Sequence, residues 1–195
     1  MSPRKVVAQE LSRDMIIEAA RRLFVQHGYQ HTSMRQIAKQ LNYSHGAIYY
    51  HFQNKAELFY AIVDQDFLML MEILDDVLNK EIPSKVKVRG ILLGFIEFGI
   101  KNPSHYEMMF LLKDETVHSY FAEGPNKSYD KFASSIYTLC EKKIDLKEIW
   151  SVFLSLHGFV AHYCRLDQTY EGIKVMAEAH VDFLMQILVS RMNEK

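Results

Sequence analysis

The stretch Thr32–Phe52, T-S-M-R-Q-I-A-K-Q-L-N-Y-S-H-G-A-I-Y-Y-H-F, limits what this chain can fold into more than any other. Met34, Ile37, Ala38 and Leu41 recur at i, i+3, i+4 and i+7, which is one face of a short amphipathic helix. Thr32 or Ser33 can cap its start, because a hydroxyl accepts from an otherwise orphaned backbone N–H. Asn42 can end it, since Asn tolerates the left-handed conformation in which helices commonly stop. Ser44 can then cap a second helix made only of His45, Gly46, Ala47, Ile48, Tyr49 and Tyr50. Helix, a turn of about three residues and helix is the layout of a DNA-reading helix-turn-helix.

The residues before this stretch supply what it needs to close a core. A helix is expected over Leu11–His27, with Ile16, Ala19, Ala20, Leu23 and Phe24 on one face and Gly28 as its stop. Arg13, Glu18, Arg21, Arg22 and Gln26 should face solvent. The expected core of this small domain is Ile16, Ala20, Leu23, Phe24, Ile37, Ala38, Leu41, Ile48 and Phe52. Charge sets the same segment apart. Residues 1–55 carry eight Lys/Arg against three acids, whereas the whole chain has a formal net charge of −1. A basic head on an acidic body points to a polyanion partner for the head alone.

The run Ile16–Leu58, with A-x-x-L-F-x-x-x-G-Y, T-S-M-R-Q-I-A, S-H-G-A-I-Y-Y-H-F and N-K-A-E-L-F, resembles the DNA-binding domain of the tetracycline-repressor (TetR) family. Three positions depart from the family pattern: Asn42 stands where Gly is frequent, Tyr43 where a small aliphatic is, and His45 where Lys is. Position and resemblance together name His45, Ala47 and Tyr50 as base-contacting residues. Gly46-Ala47 offers almost no bulk to keep the backbone from DNA, and base edges need short-reach partners. Thr32, Ser33, Ser44, Gly46, Tyr49, His51 and Lys55 are expected at phosphates, which position a protein without reading sequence. Packing of the small domain competes for Tyr49, whose ring can be buried while its hydroxyl stays free.

A long connecting helix is expected over about 54–80, ended by Ile82-Pro83, and this sets the domains at 1–55 and 56–195. At ~1.5 Å per residue such a helix spans ~37 Å. The resemblance implies that it transmits ligand state to the head. The body shows only helical patterns: Ser84–Lys101, Pro103–Lys113 with Asn102 as cap, Thr116–Ala122, Ser128–Lys143, Leu146–Leu166 and Glu171–Met192. Asn102-Pro103, Gly124-Pro125 and Asp167-Gln168 mark breaks. The fold class is therefore all-α: a three-helix helix-turn-helix domain joined by a long helix to a helical ligand-binding and dimerisation domain.

Within the body, aromatic and sulfur side chains are dense. Core packing explains stripes of this kind, but an apolar cavity would use the same residues, and the resemblance implies one. Its candidate residues are Phe67, Met71, Phe95, Phe98, Tyr106, Met109, Phe110, Tyr137 and His157, with Tyr106, Tyr137 and His157 as polar anchors. Glu97 precedes Lys101 by four residues and reads as a surface ion pair. The last helix is apolar nearly all round and needs cover on every side. A two-fold dimer through a four-helix bundle, also implied by the resemblance, would use Trp150, Leu154, Ala161, Val181, Leu184, Met185 and Leu188.

Other functions find little in the residues. His157 and His162 lie roughly 140° apart around a helix, so no metal is expected, and no cofactor motif or catalytic constellation is present. Cys140 and Cys164 read as buried reduced thiols. The longest apolar stretch is too short for a membrane span, and no charged-then-apolar leader is seen, so a cytoplasmic protein is expected. The reading is a bacterial ligand-responsive DNA-binding regulator, most simply a repressor. It would bind a pseudo-palindromic double-stranded DNA operator as a homodimer and be released by a small apolar effector. The alternatives are a DNA-binding dimer with no effector, or a helical ligand carrier or enzyme.

Overall fold

Side-chain caps set the helix boundaries at the N-terminal end of the chain. In the computed structural model, which describes residues 10–112, 124–166 and 168–193, Ser12 Oγ accepts from Met15 N–H at 3.2 Å and opens α1, Arg13–His27. Ser33 and Gln36 form a reciprocal capping box, with Gln36 N–H to Ser33 Oγ at 3.3 Å and Ser33 N–H to Gln36 Oε1 at 2.7 Å. It opens α2, Met34–Leu41. Ser44 Oγ accepts from Ala47 N–H at 3.2 Å and opens α3, His45–His51. Asn54 Oδ1 accepts from Glu57 N–H at 2.8 Å at the start of α4, Lys55–Leu78. Caps of this kind stabilise a helix by about 1 kcal/mol each. Asn42 ends α2 in the left-handed region, φ 59° and ψ 33°. The Tyr43 N–H then reaches Ala38 O at 3.0 Å and the Asn42 N–H reaches Lys39 O at 3.2 Å, the paired bonds of a Schellman motif.

The remaining elements are α5, Ser84–Lys101; α6, Pro103–Tyr106, which continues as a π-helical turn over Glu107–Leu111; α7, Gly124–Leu139; α8, Leu146–Tyr163; and α9, Tyr170–Asn193. Among the described residues there is no strand, and no helix is long and apolar enough to cross a membrane. The chain divides into two compact units, residues 1–62 and 63–195. That boundary lies beyond residue 55 because Leu58, Phe59 and Ile62 of α4 are fully buried. Phe59 closes an aromatic cluster in the first unit, 5.9 Å from Phe24 and 5.2 Å from Tyr29 between ring centroids.

In this first unit Ile16, Ala20, Phe24, Ile37, Ala38, Ile48 and Phe52 are buried, as the periodicity requires. Leu23 and Leu41 are only half-buried. Arg21, expected at the surface, is 3% exposed, and its Nε lies 3.5 Å from the Glu18 carboxylate. It follows buried Ile17 by one helical turn, and a long aliphatic stem can be covered while its head group meets an acid.

The second unit is built around α5, of which Val88, Ile91, Leu92, Phe95, Ile96, Phe98, Gly99 and Ile100 are all buried. Two glycines let neighbouring helices come close. A Cβ on Gly94 would meet Ile73 at 2.9 Å, and one on Gly99 would meet Val160 at 2.3 Å. Helices α8 and α9 pack on α5, and this corrects part of the expected dimer surface. Val181, Leu184 and Leu188 are at most 4% exposed within a single chain, so their apolar cover is the chain itself.

Several boundaries also move. The Asn102 side chain caps no N-terminus; its Nδ2 donates to Phe98 O at 3.0 Å and closes α5. Gly124-Pro125 starts α7 where a break was expected, and Glu141 and Lys142, at φ 57° and 63°, end it before Lys143. The expected helix Thr116–Ala122 lies outside the described residues. The Glu97–Lys101 pair forms at 2.5 Å on the surface.

Candidate nucleic-acid interface and effector cavity

Helix α3 holds itself to the first unit by one buried side chain, Ile48. Its other residues are turned outward: His45, Gly46, Tyr49 and Tyr50 are exposed and Ala47 is half-buried. Tyr50 leaves 88% of its surface to solvent. A Cβ placed on Gly46 meets nothing within 4 Å, so the backbone there is open to close approach. The His45 and Tyr49 rings pack edge to face at 4.6 Å, and Tyr50 sits likewise on His51 at 5.3 Å. The four expected base-reading and backbone-approach positions, His45, Gly46, Ala47 and Tyr50, thus fall on one short helix surface.

The phosphate candidates separate into two groups. Ser44 is exposed, and since its oxygen accepts from Ala47, its proton is left to donate. Ser33 is engaged with Gln36 through both its N–H and its hydroxyl. Thr32 is a correction: it is 1% exposed, and its hydroxyl points to Gly28 O at 2.9 Å and Leu23 O at 3.1 Å, tying down the end of α1. Lys55 is also turned inward. Its Nζ donates to Tyr29 O at 2.7 Å and Thr32 O at 3.0 Å and stands 4.1 Å above the Tyr29 ring. These groups saturate the α1–α2 loop rather than a ligand.

A functional residue that sequence reasoning missed is Arg13. Its Nη1 donates to His51 O at 2.6 Å and its guanidinium covers the Phe52 ring at 4.1 Å. A cation at the C-terminal end of a helix satisfies a free carbonyl and complements the helix dipole, so Arg13 fixes the end of α3. No spacing rule joins residues 38 apart in sequence. Exposed positive charge beside α3 is carried instead by Arg35 and Lys39 on α2.

The second unit encloses a small apolar cavity of about 50 Å³. Phe67 and Met71 from α4, Phe95 from α5 and Phe110 from the π-helical turn line it. Phe98 and Met109 are buried but lie outside its wall. Tyr137 is displaced: it is 41% exposed and lines a separate surface groove with Lys142 and Asp145. The wall is completed by residues the stripe pattern could not distinguish from core, among them Ile91, Ser128, Tyr129, Phe132 and Phe153.

Behind Phe110, buried Tyr106 and half-buried His157 form a polar pair with Tyr106 Oη 2.6 Å from His157 Nδ1. Their rings stack at 28°, and each also lies against the Phe110 ring, at 4.7 and 5.7 Å. Burial keeps the Tyr106 phenol protonated far above its ordinary range and lowers the His157 pKa. The contact therefore joins a protonated phenol to a neutral imidazole, and the His157 tautomer sets which of the two donates. Depression of a base on folding means that the unfolded chain takes up the proton first. Stability from this group is complete above about 6.5 and is lost as pH falls below it. Thermal unfolding from pH 7.5 to 5 should show an acid-side fall in midpoint that is smaller in His157→Gln; equal falls would remove His157 as the source. A second polar pair, half-buried His105 Nδ1 to buried Asp66 Oδ1 at 3.0 Å, ties α6 to α4.

Comparison with known proteins places this geometry. Residues 16–62 match the family model for bacterial regulatory proteins of the tetR family. The repressor AcnR of Corynebacterium glutamicum is 37% identical over 65 residues, 33% of this chain and 35% of that protein. The regulator TtgR of Pseudomonas putida is 48% identical over 60 residues, 31% of this chain and 28% of that protein. The chain thus spans about a third of the length of the curated relatives it matches. Solved structures extend the fold over nearly all of it. The tetR-family regulator PfmR from Thermus thermophilus superposes with a TM-score of 0.73 at 20% identity, covering 88% of this chain and 97% of that one. FadR from Bacillus subtilis, in complex with stearoyl-CoA, gives 0.74 at 17% identity, covering 92% and 99%. Residues 16–62 thus match the head of the tetR family of bacterial regulatory proteins, and the fold along nearly all of the chain is the one these solved structures share.

Proposed function

We propose that the chain is a ligand-responsive transcriptional repressor that binds a pseudo-palindromic operator as a homodimer and leaves it when a small apolar effector occupies the second unit. The observation that carries the reading is the outward display of His45, Gly46, Ala47 and Tyr50 on a helix anchored by Ile48. Ser44, Tyr49 and His51 flank that display and are proposed, with Arg35 and Lys39, to meet phosphates. Two heads would occupy half-sites with centres roughly 34–36 Å apart or a multiple of it. The protein would act in the cytoplasm.

The test is Tyr50→Ala. A side chain 88% exposed contributes little to folding, so the melting temperature should stay within about 2 °C. Preference for an operator selected from genomic fragments over random DNA should fall by about 10- to 100-fold, the worth of one base contact. Undiminished preference would mean that this face does not read bases.

For the dimer, α8 exposes Trp150 at 45% and Leu154 at 47%, and α9 exposes Phe183 at 59% and Ile187 at 46%. The two helices meet where His180 stacks on Phe159 and lies 3.2 Å from Ser155 Oγ. Leu154 and Phe183 are proposed to bring both apolar stripes to a common surface. Ala161 and Met185, half-buried in one chain, would complete it. Sedimentation should give twice the 22.9 kDa chain mass, and Phe183→Glu should give the single chain; a wild-type monomer at micromolar concentration would sink the dimer.

The effector reading is supported by the apolar wall around Phe67, Met71, Phe95 and Phe110 and by the fold shared with FadR, which was solved with stearoyl-CoA. That relative makes an acyl ligand the second reading. Whatever the ligand, it can shift the chain only by preferring one conformation over another.

A further inference from the structure

We infer that the cavity takes an uncharged aromatic molecule of one or two rings bearing a single hydrogen-bonding group, rather than an acyl chain or an organic cation. The inference rests on the effector reading above and narrows it to a chemical class. Six aromatic side chains, Phe67, Phe95, Phe110, Tyr129, Phe132 and Phe153, contribute to the wall. They already meet one another edge to face or tilted: Phe67–Phe110 at 5.5 Å and 76°, Phe95–Phe153 at 5.8 Å and 69°, Tyr129–Phe153 at 5.5 Å and 76°. A flat ring entering this set can repeat the same geometry on several sides, gaining the quadrupole term that aromatic pairs add to simple burial. A saturated chain gains burial only.

Charge decides against the other classes. Among the described residues of the wall there is no Asp, Glu, Lys, Arg or His, and an unpartnered charge in such surroundings is costly. Aromatic walls can hold cations, yet the nearest groove, which shares Phe67, Met71 and Ser128 with the cavity, offers Asp64 together with Lys127 and Lys131. Among the described residues that rim has no acidic excess to draw a cation inward. At about 50 Å³, well below the roughly 300 Å³ of ligand-sized pockets, the cavity must widen to admit either a ring or a chain, so size does not separate the two. Half-buried Phe110 and Phe153 can turn to admit a ring. Ser128, which is 8% exposed and lies in the wall, is a hydroxyl that a hydrogen-bonding group on the ligand would meet.

The chain carries its own reporter. Its single tryptophan, Trp150, stacks on Phe153 at 5.3 Å and meets Tyr129 at 5.0 Å. With the full-length protein, Trp150 emission is followed during titration with 4-ethylphenol, ethylbenzene, 4-ethylbenzoate, phenyltrimethylammonium and dodecanoate. The expected result is that 4-ethylphenol binds at least tenfold tighter than the benzoate, the ammonium and the fatty acid. Ser128→Ala should weaken it about tenfold while leaving ethylbenzene unchanged. Tighter binding of dodecanoate or of either charged ring, or no response to any of the five, would overturn the inference. Operator retention is measured in parallel. Binding of 4-ethylphenol without release of DNA would uphold this class and count against the effector reading instead.

Discussion

Gly99→Ala is expected to destabilise the second unit by about 3 kcal/mol, at the upper end of what overpacking a core costs, and to lower the melting temperature by about 10 °C. The added methyl would sit 2.3 Å from Val160 Cγ1 and 2.9 Å from Tyr106 Cδ2. Neither neighbour can yield cheaply. Val160 and Tyr106 are both fully buried, valine has few rotamers to move to, and Tyr106 is held by its bond to His157. The diagnostic is the double variant. Val160→Ala removes the nearer atom, so Gly99→Ala in that background should cost distinctly less than alone, a coupling that independent sites do not show. Calorimetric unfolding of the three variants checks this. Additive losses, or a Gly99→Ala protein as stable as the parent, would show that α5 and α8 do not approach this closely.

Lys55→Ala separates two readings of one residue. A lysine at the head of a helix in a basic domain suggests a phosphate contact, and its loss should then reduce the salt dependence of DNA binding by about one. The structure gives it a different task. Its ammonium closes Tyr29 O and Thr32 O and covers the Tyr29 ring. Charged hydrogen bonds contribute about 1.5–3 kcal/mol each, and truncation leaves two half-enclosed carbonyls. The expected result is a loss of about 3 kcal/mol in the first unit with the salt slope unchanged. An undiminished melting temperature together with a slope reduced by about one would reverse the assignment.

These two positions also mark how far the sequence could be read. Helix existence in the first unit was legible because it rests on local signals: hydroxyl caps at Ser33 and Ser44, a left-handed stop at Asn42 and stripes of period 3.6. The outward residues of α3 could be named because a seven-residue helix with one large aliphatic side chain has only one way to face its core. What was not legible lies in contacts between residues far apart. Thr32, Lys55 and Arg13 look like surface groups in any window of sequence, and only tertiary approach makes them partners of carbonyls. In the second unit the same limit applies to apolar residues. Val181, Leu184 and Leu188 form a stripe whose cover could be a partner or the chain's own α5, and hydrophobicity alone cannot tell the two apart. Phe153, Tyr129 and Ser128 entered the cavity wall for the same reason, from helices whose stripes read only as core. The end of α7 depended on Glu141 and Lys142 adopting positive φ, a conformation that neither residue type advertises.

The clamp on α3 has a consequence of its own. Ser44, Ile48 and Arg13 fix the start, middle and end of that helix, and Ile48 and Arg13 are absent from the proposed base-reading set. His45, Ala47 and Tyr50 add little to that anchoring. In the proposed reading, recognition and foldedness are therefore borne largely by different residues, and of the three anchors only Ile48 belongs to the seven-residue helix itself. Such a division lets the outward letters be rewritten through descent while the scaffold beneath them stays constant, so that a duplicated copy could acquire a new address without first losing its shape.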